Sequence, residues 1–337
     1  MTRGQGDATA QRRLLDQTRR AIRGHSLWPA GARVLVACSG GGDSTALLGI
    51  LAALAPSLGH ELVVGHVDHG IRSGSQEDGD AVVAQAARLG CPADVARVHV
   101  ERGAALQARA RAARHAALEA MRRQHGCAVI ATGHTADDVA ETVLMRLTRG
   151  AGAAGLGAIR WRRGAFARPL LGAPREALRA WLRAERMTWR EDPSNSDQRM
   201  TRSRFRANVL PALEAAQPGA TAAIARSAHN LAALGDALAW ATEAWLAAHA
   251  EQTTDALRVE RESWPAELPA SSALLQAVAE RLGAPGPSHA AVAQFHAWLA
   301  SGAAHQNPCE VSGIRIMQAD GALRFQARLV APPRGAD

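Results

Sequence analysis

The chain contains no lysine, so all 39 of its basic residues counted as Lys plus Arg are arginines. Chemistry that needs a protein amine is therefore excluded, including a Schiff base, a lysyl nucleophile and the GK[ST] loop of the common nucleotide hydrolases. Cysteine is scarce, with four residues at 38, 91, 127 and 309. None of them is paired at CxxC spacing, so neither a zinc ribbon nor an iron–sulfur cluster is written locally. The longest apolar run, Thr45 to Ala55, falls far short of the ~20 residues that cross a bilayer. The first twenty residues alternate polar and basic groups without an apolar segment, which argues against a secretory signal and leads to the expectation of a cytoplasmic protein.

What is present is the composition of an ordinary globular protein, 47% hydrophobic and 21% charged over 337 residues, enough for one large or two medium domains. The net charge of +8 is unevenly spread. Residues 221–337 carry 8 arginines against 11 acids, a net −3, whereas residues 146–206 carry 15 arginines and only 5 acids. The second concentration suits a polyanion such as a phosphate backbone, although a solvated arginine-rich surface explains the charge equally well.

Four apolar, β-branched runs, Arg33–Cys38, Glu61–Val67, Val95–Val100 and Cys127–Thr132, recur about every thirty residues. Helical patterns separate them at Ser44–Leu58, Gln76–Leu89 and Ala104–Gln124. This alternation predicts α/β architecture, a parallel sheet flanked by helices with ligands at the strands' carboxyl ends. A helix over Gln11–Gly24 precedes the sheet and another, Thr135–Arg149, follows it; AGAAGLGAIRW then reads as a mobile loop. Further helices are predicted over Pro174–Met187, Arg202–Ala215, Ala222–Ala250, Ala270–Leu282 and His289–Ala300, with strands near Ile314–Met317 and Leu323–Ala327. Pro218 and Gly219 interrupt the helical pattern and divide the chain into residues 1–217 and a second, mainly helical domain, 218–337. Trp240 and Trp245 are read there as packing residues.

The sharpest chemical signal is VLVACSGGGDSTALL, a buried strand, then Ser39, Gly40, Gly41, Gly42, Asp43 and Ser44, then an apolar helix. Glycines between strand and helix let backbone amides approach phosphates, and the helix N-terminus adds favourable partial charge. Asp43 offers a carboxylate for the Mg2+ that accompanies a triphosphate such as ATP. A tight turn with Ser44 as helix cap is the plainer alternative. His66, Asp68, His69, His134 and Asp137 also allow a hydrolytic metal cluster, hence a metal-dependent phosphoesterase. A noncatalytic RNA-binding protein is a third possibility.

SGGGDS resembles the PP-loop of the ATP pyrophosphatases. The resemblance extends through VDHGIR at 67–72, ARAARH at 110–115, ATGHTADDVAETVLMRLTRG at 131–150, GLGAI from Gly155, RPLL from Arg168, EDPSN from Glu191 and TRSRFRANVLPAL from Thr201. In this order, over about residues 30–215, the motifs resemble the tRNA(Ile)-lysidine synthetase family. The resemblance implies a ligase that uses ATP to adenylate the C2 carbonyl oxygen of the first-anticodon-position cytidine of an isoleucine tRNA with a CAU anticodon. Free L-lysine then displaces AMP. A PP-loop tRNA thiolase is the nearest alternative.

On this resemblance, Ser39 to Ser44 hold ATP phosphates with Asp43 on Mg2+, while His66, Asp68 and His69 border the nucleotide. His134 and Asp137 belong to the catalytic centre, Asp137 being the preferred carboxylate for a second metal or the lysine ammonium. Arg111 and Arg114, three apart on one helical face, are placed to reach phosphate, Arg114 as a catalytic group, with a salt-bridged or solvated surface the plainer alternative; Arg202 and Arg206 contact phosphate or tRNA. Asp138 and Glu141 share a helical face and are either ligands or acids complementing the helix dipole. Ser203, Thr135 and His115 depart from the family pattern, replacing an Asn, a polar ring or amide, and a Tyr. Monomer and homodimer stay open.

Overall fold

The computed structural model describes residues 3–68, 75–99, 103, 106–157, 159–190, 201–253, 256–301 and 307–327. His69 and the EDPSN segment lie outside them. Two compact units are present, divided between Ala232 and Ala233, fifteen residues beyond the interruption at Pro218.

The first unit opens with α1 (Arg3–Gly24), β1 (Arg33–Ala37), α2 (Gly42–Leu58), β2 (Glu61–Asp68), α3 (Ser75–Arg88) and β3 (Ala93–Arg97). It continues through α4 (Leu106–Gln124), β4 (Val129–Ala131), α5 (Ala136–Leu147), α6 (Ala153–Leu156), β5 (Arg162–Arg163), β6 (Phe166–Ala167) and α7 (Arg175–Ala184). α8 (Thr201–Arg204), a π-helical turn (Phe205–Val209), α9 (Leu210–Ala216) and the start of α10 (Ala220–His249) follow. The sheet order is β3-β2-β1-β4-β6-β5, parallel except for the β5–β6 hairpin.

Parallel strands covered on both faces are apolar on both faces, and β1 illustrates this. Val34 and Val36 join the core built by α2 and α7 with Leu47, Leu51, Leu178 and Trp181, while Leu35 between them packs with Leu118, Met121 and Ile130 on the α4 side. The chain runs outward from β1 to β2 and β3, then returns to place β4 on the other side of β1. That reversal opens a crevice at the carboxyl ends of β1 and β4, where ligands bind in sheets of this kind.

The connection expected to be a mobile loop contains α6, and Gly157 behind it packs so closely on Ala232 that an added Cβ would lie 2.8 Å from its Cα. The helix expected over 202–215 is broken by the π turn. Pro211 has no N–H to return to the preceding turn, and the Leu210 N–H bonds Phe205 O, five residues back. Such widened turns recur at functional sites.

The second unit holds the rest of α10, β7 (Ala250–Gln252), β8 (Ala256–Glu260), a short 3-10 turn (Arg261–Ser263), α11 (Leu268–Arg281), α12 (His289–Ala300), β9 (Cys309–Val311), β10 (Ile314–Ala319) and β11 (Ala322–Ala327). Its strands form an antiparallel sheet, β7-β8-β11-β10-β9, around Trp264, Phe295 and Phe325. Trp245 packs on this core, whereas Trp240, expected to pack likewise, is 76% exposed. Among the described residues, no helix is long and apolar enough to cross a membrane.

Candidate active site

The glycine turn after β1 is held from both sides. Gly40 has φ +83°, a conformation that side chains disfavour, and its carbonyl accepts the Arg190 N–H at 3.0 Å. Gly41, not Ser44, is the N-cap of α2, and no side chain caps it. Ser44 lies inside the turn, its Oγ accepting the Ser39 N–H at 3.1 Å and donating to Gly41 O at 2.9 Å. The first amides of α2 are thus presented without a side-chain acceptor, as a phosphate cradle requires. Gly133, after β4, approaches this turn so closely that an added Cβ would sit 2.8 Å from Asp43 O. Backbone meets backbone here, which joins the two motifs at the crevice.

Beside the turn, Arg175 organises four carboxylates. Its Nε donates to Asp43 at 3.0 Å and its Nη2 to Asp138 at 3.1 Å; Nη1 lies 3.4 Å from Glu141 and 3.9 Å from Asp137. Its backbone N–H, the first of α7, donates to Asp137 Oδ2 at 2.8 Å. Glu141, with a fully buried side chain, also receives Arg202 Nε and Arg206 Nε, both at 2.7 Å. Burial would raise the Asp138 carboxyl, but Arg175 and Arg202 hold it below its ordinary value. Burial raises the Asp43 carboxyl despite Arg175. The same carboxylates raise the Arg175 guanidinium against its own burial.

Asp138 serves two purposes. With Thr135 it forms a capping box, Oδ2 accepting the Thr135 N–H at 2.9 Å while Thr135 Oγ1 accepts the Asp138 N–H at 3.4 Å. Its other oxygen faces the arginines. Thr135, a departure from the family pattern, is thereby the cap of α5.

These groups border a cavity of about 910 Å³. Ser39, Gly41, Gly42, Asp43, Ser44, His134 and Asp138 line one part of it, and Arg111, Arg114, His115, Phe166 and Arg168 another. Surrounding protein and Arg111 lower the pKa of Arg114. Burial pushes His134 down to about 4, so its ring is neutral at pH 7, with Nδ1 3.0 Å from Thr132 Oγ1.

Several expected site residues fall elsewhere. Strand alternation puts Gly65 and Val67 on the cavity, so His66 and Asp68 are buried instead of bordering it. His66 Nδ1 lies 2.9 Å from Cys38 O, and Asp68 accepts Arg97 Nε at 3.3 Å. Asp137 is turned onto the start of α7 by its bond to Arg175, and Asp138 takes the cavity wall. Arg202 and Arg206, by contrast, do line the cavity, each also donating to Glu141. Among the described residues no three His, Cys, Asp or Glu side chains gather to hold a metal, so the hydrolytic cluster does not form there. A single hard carboxylate at Asp43 does fit Mg2+ carried by a triphosphate, which takes most of its ligands from phosphate and water.

Arg175, Trp189 and Arg190 are absent from the sequence-derived site. Trp189 covers Gly42, with Cδ1 3.2 Å from where a Cβ would be, and Arg190 pairs with Glu77 and Asp78. Only for Arg175 was a signal available, since a cation in the first turn of a helix opposes the dipole and needs nearby acids.

A family model described as a PP-loop domain matches residues 9–213, more than half of the chain. The tRNA(Ile)-lysidine synthase of Thermobifida fusca is 45% identical over 229 residues, covering 67% of this chain and 70% of that protein. The Thermus thermophilus protein of the same name is 46% identical over 200 residues, 58% of this chain but only 38% of the longer relative. That of Streptomyces coelicolor is 42% identical over 222 residues, 64% of this chain and 63% of its own. Among solved structures, a U34-tRNA thiolase from Methanococcus maripaludis superposes with a TM-score of 0.57 at 19% identity, covering 67% of this chain and 80% of that one, a likeness of fold alone. By the matched domain and by its identity to these relatives, the chain belongs to the PP-loop ATP-utilising enzymes and, among them, to the tRNA(Ile)-lysidine synthase family.

Proposed function

We propose that the chain ligates free L-lysine to C2 of the cytidine at the first anticodon position of an isoleucine tRNA with a CAU anticodon, through an adenylated tRNA intermediate. The product, lysidine, changes decoding from AUG to AUA and charging from methionine to isoleucine. ATP is consumed to AMP and pyrophosphate, and a tRNA substrate places the reaction in the cytoplasm. One observation carries the reading: a single cavity joins an uncapped glycine turn, an acidic wall and a cationic wall. Adenylation and ligation need these three together, for pyrophosphate, for an ammonium and for phosphate with its flanking backbone.

In this reading the amides after Ser39 and the start of α2 take the β- and γ-phosphates. Asp43 would hold the Mg2+ that accompanies the triphosphate, and such an ion would supply charge neutralisation at the departing pyrophosphate. Arg114 and Arg111, on the α4 wall, face the phosphates that flank the cytidine and hold it in place while its C2 oxygen attacks the α-phosphate. Asp138, on the cavity wall, draws the lysine ammonium, which competes with Arg175 for this carboxylate, with Asp137 beside it, bonded to the start of α7. The amine must shed protons to attack C2; His134, held neutral and only weakly basic, lines the cavity and can accept a hydrogen bond that orients the amine. His66 supports the turn through the Cys38 carbonyl, while Asp68 pairs with Arg97.

The test is transfer of labelled lysine to an isoleucine tRNA transcript with a CAU anticodon, with ATP and Mg2+, while pyrophosphate is followed. Label in the RNA is the expected result. Pyrophosphate release without label would point to another nucleophile, as in a thiolase. No tRNA-dependent use of ATP would overturn the reading.

A further inference from the structure

The cationic wall of the cavity contains a pair of aromatic rings. His115, on α4, and Phe166, on β6, lie nearly parallel, with ring centroids 4.5 Å apart and an interplanar angle of 26°. Both line the cavity and neither is buried. Phe166 stands in register with Ile130 of β4, the strand that leads into His134. Burial, then Arg111, Arg114 and Arg168, lower the His115 pKa, which favours the uncharged imidazole as an aromatic surface. Arg168 Nη1 donates to the Arg160 carbonyl at 2.8 Å, and among the described residues no carboxylate pairs with Arg111 or Arg114.

An aromatic surface bordered by such guanidiniums suits a planar group attached to phosphates. It does not suit an ammonium, which the arginines repel. Unstacked nucleobases bind in this way, by stacking on aromatic rings while arginines hold their backbone. Two bases could enter this cavity, adenine from ATP and the target base of the RNA. Position along the sheet favours the latter. β6 lies two places from β1, whose turn receives the phosphates, and belongs to the arginine-rich 146–206 stretch.

Building on the ligase reading above, we propose that the His115–Phe166 pair is the platform on which the flipped-out pyrimidine of the RNA substrate stacks. Arg111, Arg114 and Arg168 hold its flanking phosphates. The platform sets specificity by accepting a flat base and excluding the lysine side chain from this end of the cavity.

The experiment uses the full chain and an anticodon stem-loop carrying pyrrolocytidine, a fluorescent pyrimidine, at the first anticodon position. Binding to the wild type should quench its emission. His115→Ala should abolish the quench and weaken RNA binding roughly five- to hundredfold, the range for loss of one base–aromatic stack, without raising KM for ATP. His115→Phe should restore the quench, separating stacking from a general structural role. An unquenched wild-type complex, or an unaltered quench in His115→Ala, would overturn the proposal. A raised KM for ATP with RNA binding intact would also do so, giving the platform to adenine. Failure of lysine transfer by the wild type would sink the ligase reading while leaving the quench measurable, so the two failures are distinguishable.

Discussion

Arg175 Nε lies 3.0 Å from an Asp43 carboxylate oxygen, across a sequence separation of 132 residues. The carboxylate proposed for Mg2+ is thus already held by a cation from the start of α7, which also neutralises acids on α5. Arg175 is only 11% exposed, so its removal strands carboxylates that water cannot adequately solvate. Arg175→Met should lower unfolding free energy by about 3 to 5 kcal/mol, the usual cost of deleting one member of a buried ion pair. Urea denaturation read by far-UV circular dichroism measures this. A loss well under about 1 kcal/mol would show the pairing to be dispensable.

Asp43→Ala should eliminate tRNA-dependent pyrophosphate release while tRNA binding persists, because the carboxylate sits at the phosphate turn and away from the arginines of the α4 wall. Filter binding and pyrophosphate assays on one preparation separate the effects. Retained release would remove Asp43 from the metal role.

Gly133→Ala probes the closest approach of the two motifs. The new methyl group would lie 2.8 Å from Asp43 O and 3.1 Å from Ser44 N, and backbone atoms cannot swing aside as a side chain can. Overpacking of this kind costs about 1 to 3 kcal/mol, and here it displaces the phosphate turn. Both a lower Tm and a higher KM for ATP are expected; an unchanged KM would show that the turn tolerates displacement.

The low pKa of His134 makes a signed prediction for stability against pH. Its ring is held to about 4 in the folded protein, against an ordinary 6.5, so between these values the unfolded chain binds the additional proton. Stability is therefore full above about pH 6.5 and falls as pH drops toward 4, with an upper bound of about 3 kcal/mol from this residue. His134→Asn should flatten the slope of unfolding free energy between pH 6.5 and 4. An equally steep slope in the variant would assign it to other groups.

Arg114→Ala should weaken RNA binding and reduce the slope of log affinity against log salt by about 0.7, the value for one phosphate contact with a single strand. Affinity measured from low to moderate salt reads this directly. An unchanged slope would argue against a phosphate contact for Arg114.

Much of the first unit is legible in the chain because its determinants are local. The strand periodicity around Val34 and Val63, the glycines after Cys38 and the helix starting near Ala136 lie in short segments whose pattern predicts their structure. β6 is too short to show a pattern, β7 is polar and becomes a strand only by pairing with β8, and β8 is held by antiparallel pairing with β11, distant in sequence. The interruption at Pro218 is visible, yet packing carries the first unit on to Ala232.

The site divides along the same line. Sequence by itself determined the glycine turn after β1, the acids after β4 and the arginine-rich stretch, because each is a contiguous motif with its own backbone chemistry. Only the tertiary structure decided which groups face the cavity. The two-residue period of β2 turned His66 and Asp68 inward, the bond to the first amide of α7 turned Asp137 aside, and the buried acids of α5 drew in Arg175, Arg202 and Arg206. Burial makes an unpaired charge costly wherever its partner lies in the chain, so charge pairing across the fold is settled by proximity in space.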